Sequence, residues 1–244
     1  MFGPDHSPQR DVPLGQTVSL DSLVELVCTY STCDPFIPLL NLPRLKRLSI
    51  TVSNVEKLVD LLPHNGHAIL SGTTFMFHHY LKSQQQIKLS GNGVNTSFHM
   101  CDNQGETTAG LLEYIPLRQI EYLKYKGSCI SADFPFPLFE NLTTFEVTLP
   151  NKRTAAQVLR LLGASFPSPS LREIVYNYPF SKPASFMKTL IQFARKRRRG
   201  GYKLEVISLV GHGTDPVVSE GLKESARVLR GYVGKLQVGG EVYE

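Results

Sequence analysis

The sequence predicts an α/β fold: a curved, mostly parallel sheet with strands inside, helices outside and repeats of uneven length. Three observations carry this expectation. A six-residue apolar frame recurs five times along the chain. Stretches with the apolar spacing of an amphipathic helix lie between copies. In the C-terminal half the two alternate, and strand–helix alternation implies parallel strands.

The frame reads Leu45-x-x-Leu48-x-Ile50, Ile120-x-x-Leu123-x-Tyr125, Leu142-x-x-Phe145-x-Val147, Leu171-x-x-Ile174-x-Tyr176 and Leu204-x-x-Ile207-x-Leu209. Its fourth and sixth positions point to one side of a short strand, because side chains alternate along an extended chain. The first position closes the turn leading into the strand. Stacked in parallel, such strands bury these residues as ladders. This is the L-x-x-L-x-L frame of a leucine-rich repeat. The polar residue that follows (Asn54, Cys129 or Asn151) comes one place later than in the regular motif, and only after three copies. Starts at residues 120, 142, 171 and 204 lie 22, 29 and 33 apart, so the loops are expected to vary in length.

Taken in order, residues 1–19 read as a flexible tail rich in Pro, Gly and polar residues. Leu20, Leu23 and Leu26 belong to an opening repeat or a capping helix. Val55, Leu58, Val59 and Leu62 share one helix face. Residues 64–118 form an irregular insert in which Gly66, Gly72, Gly91, Gly93 and Gly105 interrupt any long helix, with candidate strands at 87–89 and 95–101. Thr154 is the predicted N-cap of a helix that buries Ala155, Val158, Leu159 and Leu162 and ends at Gly163. Pro183 suits the first turn of a helix that buries Phe186, Met187, Leu190, Ile191 and Ala194 and stops at Gly200-Gly201. Asp215-Pro216 starts a last helix, with Val218, Leu222, Ala226, Leu229 and Val233 inward. Residues 20–240 thus form a single domain.

The segments PLLNLPRLKRLSITVSNVEKLVDLLP, LFENLTTFEVTLPN and PSLREIVYNYP resemble the repeat region of F-box/leucine-rich-repeat proteins, in the degenerate form common in mushroom-forming fungi. The resemblance spans residues 20–240 and rests on apolar spacing. No helical block of the Leu-Pro type that marks an F-box is seen before the repeats. In that family the F-box recruits a ubiquitin-ligase scaffold and the repeats hold the substrate. For this chain the resemblance implies the second role alone.

Composition agrees with a folded chain: 41% of residues are hydrophobic and 19% charged. No apolar run approaches the roughly 18 residues of a membrane span. The opening MFGPDHSPQRDVPLGQ lacks a basic region followed by an apolar stretch, so no secretory signal is expected. The chain is therefore expected inside the cell, in cytoplasm or nucleus. Cys28, Cys33, Cys101 and Cys129 are expected as free thiols, and the sequons at Asn95 and Asn141 as chance matches. The net charge of +5 equals one run, Arg195-Lys196-Arg197-Arg198-Arg199; the other 21 basic residues balance 21 acidic ones. At a helix end the run opposes the helix dipole. Exchange of Arg197, Arg198 and Arg199 for Gln is then expected to leave the fold intact. The run also suits a nuclear-import signal or an acidic partner, whereas nucleic acid is not an expected partner.

Local catalytic motifs are missing. His64-x-x-His67, His78-His79, His99 near Cys101, and His212 do not supply the paired spacing of four zinc ligands, and Cys28 and Cys33 stand five apart. Gly211-His212-Gly213 follows a strand and precedes a helix, a place that suits phosphate, but Pro216 stands where a dinucleotide fingerprint has its third glycine. There is no nucleophile elbow and no Walker A loop. The expected function is non-enzymatic protein recognition by a monomer, without cofactor, metal or membrane. The alternative is an α/β enzyme with its site in the loops at the strand C-termini. The third, fifth and seventh frame positions should face away from the helices on the open side of the sheet. Arg47, Tyr122, Lys124, Lys126, Glu146 and Asn177 are the candidate partner-binding residues there.

Overall fold

The structure, a computed structural model, describes residues 17–30, 37–52, 62–63, 69–81, 84–91, 93–101, 112, 115–127, 134–149, 152–165, 169–178, 184–211, 220–239 and 241–243. Its strands are β1 (Val18–Ser19), β2 (Glu25–Tyr30), β3 (Leu40–Asn41), β4 (Arg47–Val52), β5 (Thr74–Leu81), β6 (Gln84–Gly91), β7 (Val94–Cys101), β8 (Tyr122–Gly127), β9 (Thr144–Thr148), β10 (Glu173–Tyr178), β11 (Leu204–Gly211), β12 (Val233–Val238) and β13 (Glu241–Tyr243). The described helices are α1 (Lys152–Ser165), α2 (Ala184–Arg199) and α3 (Glu220–Arg230). They follow β9, β10 and β11 in the predicted alternation.

Eleven strands form one sheet in the order β13-β12-β11-β10-β9-β8-β5-β6-β7-β4-β2. Neighbours are parallel except where β6 and β13 take part. The frame sets the register. Ile174 stands opposite both Phe145 and Ile207, and the row continues through Leu236 on one side and Leu123, Phe75 and Leu89 on the other. Thr96, Leu48 and Leu26 complete it. Leu48, Phe145, Ile174 and Ile207 are at most 1% exposed, as their shared frame position predicts. Thr96 is the polar member of this row, and its hydroxyl donates to the Ile69 carbonyl at 3.3 Å.

The second frame position also recurs. At the head of β4, β8, β9, β10 and β11, the residue before the neighbouring strand accepts two successive N–H groups. Arg172 O, for example, accepts from Glu205 N and Val206 N at 2.8 and 3.1 Å. Thr73 O does the same for Glu121 N and Tyr122 N. β5 is therefore a repeat strand, with Gly72 at frame position one.

The insert differs from expectation in its pairing. It holds three strands rather than two, and β5, β6 and β7 form an antiparallel meander. The meander lies reversed in the sheet, so β4 pairs with β7 and β5 with β8. An ideal Cβ on Gly72 would stand 2.9 Å from Ser90 O. The β6 backbone thus fills the space that a leucine occupies in other copies. Gly93 holds the matching place before β7 with φ +79, a left-handed conformation that glycine adopts without strain.

At the N-terminus Glu25–Tyr30 form strand β2, so Leu26 is in a strand and Leu20, Leu23 and Leu26 do not form a capping helix. The helix expected around Val55, Leu58 and Val59 lies outside the described residues, although Leu62 is buried. Helix α1 buries Ala155, Val158, Leu159 and Leu162 as predicted. It starts at Lys152, so Thr154 is inside the helix rather than its cap, and it runs through Gly163 to Ser165. Gly163 serves helix packing: an ideal Cβ there would meet the Phe193 ring at 3.4 Å. Helix α2 buries Phe186, Met187, Leu190 and Ala194, and Gly201 ends it with φ +85. Helix α3 stops at Arg230. Val233, expected on its inner face, instead opens the frame Val233-x-x-Leu236-x-Val238 of β12.

The basic run is not simply a solvated helix end. Lys196 Nζ donates to Gly163 O at 2.6 Å in the last turn of α1, and Arg198 donates to Gly231 O just beyond α3. Three helix C-termini, each with carbonyls lacking helical partners, thus meet cations from one run. Arg197 is 6% exposed. It donates to Leu171 O at 3.1 Å and lies over the Phe193 and Tyr202 rings. Burial pulls its pKa below the usual arginine range, against the opposing influence of Tyr202.

Candidate partner-binding face

All six candidate residues sit at frame positions three, five or seven, on the side of the sheet opposite the core. The structure joins four of them. Tyr122 opens β8, Lys124 is two residues on, Glu146 is the centre of β9 and Asn177 lies on β10. Register places Lys124 directly across from Glu146. Lys124 Nζ is 2.7 Å from Glu146 Oε1, and Asn177 Nδ2 donates to the same oxygen at 2.9 Å. The Tyr122 hydroxyl donates to Glu146 Oε2. One carboxylate on β9 therefore receives three donors from the two flanking strands, two from β8 and one from β10.

Glu146 holds the cluster together. Its side chain is 14% exposed, and burial alone would push its pKa up. Hydrogen bonds from Lys124 and Tyr122, the Lys124 charge and the Asn177 amide outweigh that burial and hold the carboxyl below its ordinary value. Burial pushes the Tyr122 hydroxyl well above the usual range, with the Glu146 hydrogen bond and the charges of Glu146 and Glu173 adding to it. At neutral pH the cluster is an anionic carboxylate, an ammonium and a neutral phenol, fixed in place on rigid strands.

The other two candidates stand apart from it. Lys126 is exposed at the end of β8, in register with Thr148. Arg47 is exposed on β4 and pairs with Glu25 Oε1 at 3.3 Å. Between Arg47 and the central cluster lies a depression of about 350 Å³, lined by Glu25, Ser49, Gln86, Lys88, Met76 and Ser97 among others. Gln86 Nε2 donates to Ser97 Oγ at 3.3 Å across its floor. The row Ser49, Ser97, Lys88, Met76, Lys124 and Glu146 then runs unbroken across the sheet. Frame spacing gave no access to Glu25, Met76, Gln86, Lys88 or Ser97, because β2 and the meander strands were not placed in register. At the far end Ser208 Oγ donates to Gln237 Oε1 at 3.0 Å, another pair on this face.

Among the described residues, no three His, Cys, Asp or Glu side chains converge to hold a metal ion, and no helix is long and apolar enough to cross a membrane. His64, His67 and His212 lie outside the described residues, as do the loops after the C-terminal ends of β8, β10 and β11, where the enzymatic alternative places its site. Comparison of the chain with protein-family models, with curated proteins and with solved structures gives no match to any of them.

Proposed function

We propose that this chain is a non-enzymatic recognition module, a leucine-rich-repeat-like solenoid that binds a protein partner on the open face of its sheet. One observation carries the reading: the carboxylate cluster of Tyr122, Lys124, Glu146 and Asn177 lies near the middle of an open, largely polar sheet face that also exposes Val27 and Val210. A half-buried ionic network on an open face fixes polar groups and one aromatic ring before any partner arrives. Preorganisation of this kind lowers the entropy lost on binding, and tyrosine is enriched among residues that dominate interface energetics. The resemblance to substrate-holding repeats of F-box proteins points the same way. Recognition by several strands at once suits an extended protein surface better than a small molecule, and the depression is only partly enclosed.

The test uses proteins captured by the intact chain, identified and then titrated as purified partners. Tyr122→Ala is expected to weaken binding by ~1–2 kcal/mol with little change in melting temperature. Lys124→Glu is expected to weaken it too, by an amount that shrinks with added salt where the partner is acidic. A partner held equally tightly by wild type and both variants overturns this face as the binding surface.

A further inference from the structure

The charge of this protein is unevenly divided between the three described helices and the rest of its sequence. The three helices carry twelve of the 26 lysines and arginines but two of the 21 acidic residues, a net of +10. The rest of the chain has fourteen basic and nineteen acidic residues, a net of −5. The overall +5 hides this division. Helices α1 and α2 contain no acidic residue at all.

Burial decides which of these cations are available. Arg197 belongs to the core, and Lys196 and Arg198 are engaged with helix-end carbonyls. Arg153 and Arg160 on α1, and Lys188, Arg195 and Arg199 on α2, are exposed. Among the described residues none of these five is in an ion pair. Arg153 and Arg160 are two helical turns apart, about 10 Å along the axis, as are Lys188 and Arg195. The two helices pack side by side, with axes on the order of 8–10 Å apart. The result is a patch of like charges spanning two helices, where the sequence suggested one short run.

We propose that the outward face of α1 and α2 binds the phosphate backbone of a nucleic-acid duplex without reading its sequence. Unneutralised like charges repel one another, and a polyanion relieves that repulsion while releasing its own counterions. Four of the five cations are arginines, whose planar fork matches phosphate. The apolar faces of the helices are spent on the core, so they lack the exposed Trp, Phe or Leu that seats a helix in a lipid surface. Tyr202, just beyond α2, is 37% exposed and already lies against the Arg197 guanidinium; a single ring is no platform for successive single-stranded bases, which favours a duplex. The five cations are spread along the helices, from Arg153 in the first turn of α1 to Arg199 in the last turn of α2, which suits contacts to phosphates without base readout. This surface is separate from the open sheet face, and neither proposal depends on the other.

The experiment is a fluorescence-anisotropy titration of a labelled duplex of about 20 base pairs with the intact chain, repeated at several salt concentrations. The expected dissociation constant is ~10⁻⁴–10⁻⁶ M near physiological salt, with a log–log salt slope of about −4 to −5 for five neutralised phosphates. Two duplexes of unrelated sequence should bind within about threefold of each other. The combined variant R153E/R160E/R195E/R199E should lose at least ~10-fold in affinity, with Lys46→Glu as a charge control that retains binding. If the Glu variant does not fold, the corresponding Gln variant should reduce the slope to about −1. Absence of duplex binding at low salt, binding by the fourfold variant equal to that of the wild type, or equal competition by polyglutamate at matched charge would each overturn the proposal. So would capture of the chain by phosphatidylserine vesicles without capture by the duplex.

Discussion

Lys124 Nζ and Glu146 Oε1 stand 2.7 Å apart on adjacent parallel strands, and they are brought there by register rather than by loop geometry. Any slip of β8 against β9 by one residue would turn one of them into the core. The pair is thus as well fixed as the apolar row behind it.

Glu146→Gln is expected to cost about 1–3 kcal/mol at pH 7, because the variant loses charge-assisted hydrogen bonds at a largely buried position. The folded carboxyl titrates below its ordinary value of 4.5. Its contribution is therefore complete above pH 4.5 and is lost as the pH falls through the lower folded value. Urea unfolding of wild type and variant across acid pH should show their difference closing over that window. A difference that stays constant with pH would contradict the assignment.

Arg197 and its neighbours should separate in a stability assay. Arg197→Met removes a buried donor to Leu171 O and the cation over two rings, and is expected to cost about 1–3 kcal/mol. Lys196→Gln and Arg198→Gln act at exposed helix ends and should stay within about 1 kcal/mol each. Gln at 197, 198 and 199 is still expected to leave the fold intact, but with a larger stability loss than three exposed cations would give, and that loss should trace to position 197. Equal, small effects at all three positions would show that the guanidinium is not held in the core.

Gly72→Leu would restore the first residue of the frame, yet it is expected to destabilise by ~3 kcal/mol or more, since the Ser90–Gly91 backbone already fills that space. Gly93→Leu meets open space and carries conformational strain alone, about 1–2 kcal/mol. Thermal melts of the two variants give the comparison, and the reverse order would undo the placement of the meander.

Phe145→Ala, in the middle of the apolar row, should cost about 3–5 kcal/mol. Glu173→Ala, on the opposite side of the neighbouring strand, should stay within about 0.5 kcal/mol. Equal costs would mean that the two faces of the sheet are not distinguished as described.

The repeat strands were legible where the frame was intact, and the candidate face followed from alternation. The rest was hidden for identifiable reasons. At β5 and β7 the frame begins with Gly72 and Gly93, and Thr96 replaces an apolar residue, so neither copy scores as a repeat. Val233 lies four residues after Leu229 and seven after Ala226, a helical spacing that concealed the start of β12. The convergence on Glu146 needed the register of three strands at once, which composition and spacing do not supply. The burial of Arg197 was masked by its charged neighbours, whose sequence gives no sign of which residue turns inward.

The reversed strand β6 has a mechanical consequence. It bonds to β5 on one side and β7 on the other, and through it alone the β2–β4–β7 group joins the β5–β8 group in the sheet. On the C-terminal side, neighbours are successive in the chain, so those strands can zip one onto the next. β4 reaches β7 only after the chain has gone out to β5 and doubled back. Loss of β6 would cut the sheet into two blocks, one of five or more contiguous parallel strands and one of three. Because β6 is bonded on both sides and buries Ile87 and Leu89, the two blocks stay joined for as long as its amides stay protected, making this strand the seam whose opening would separate them.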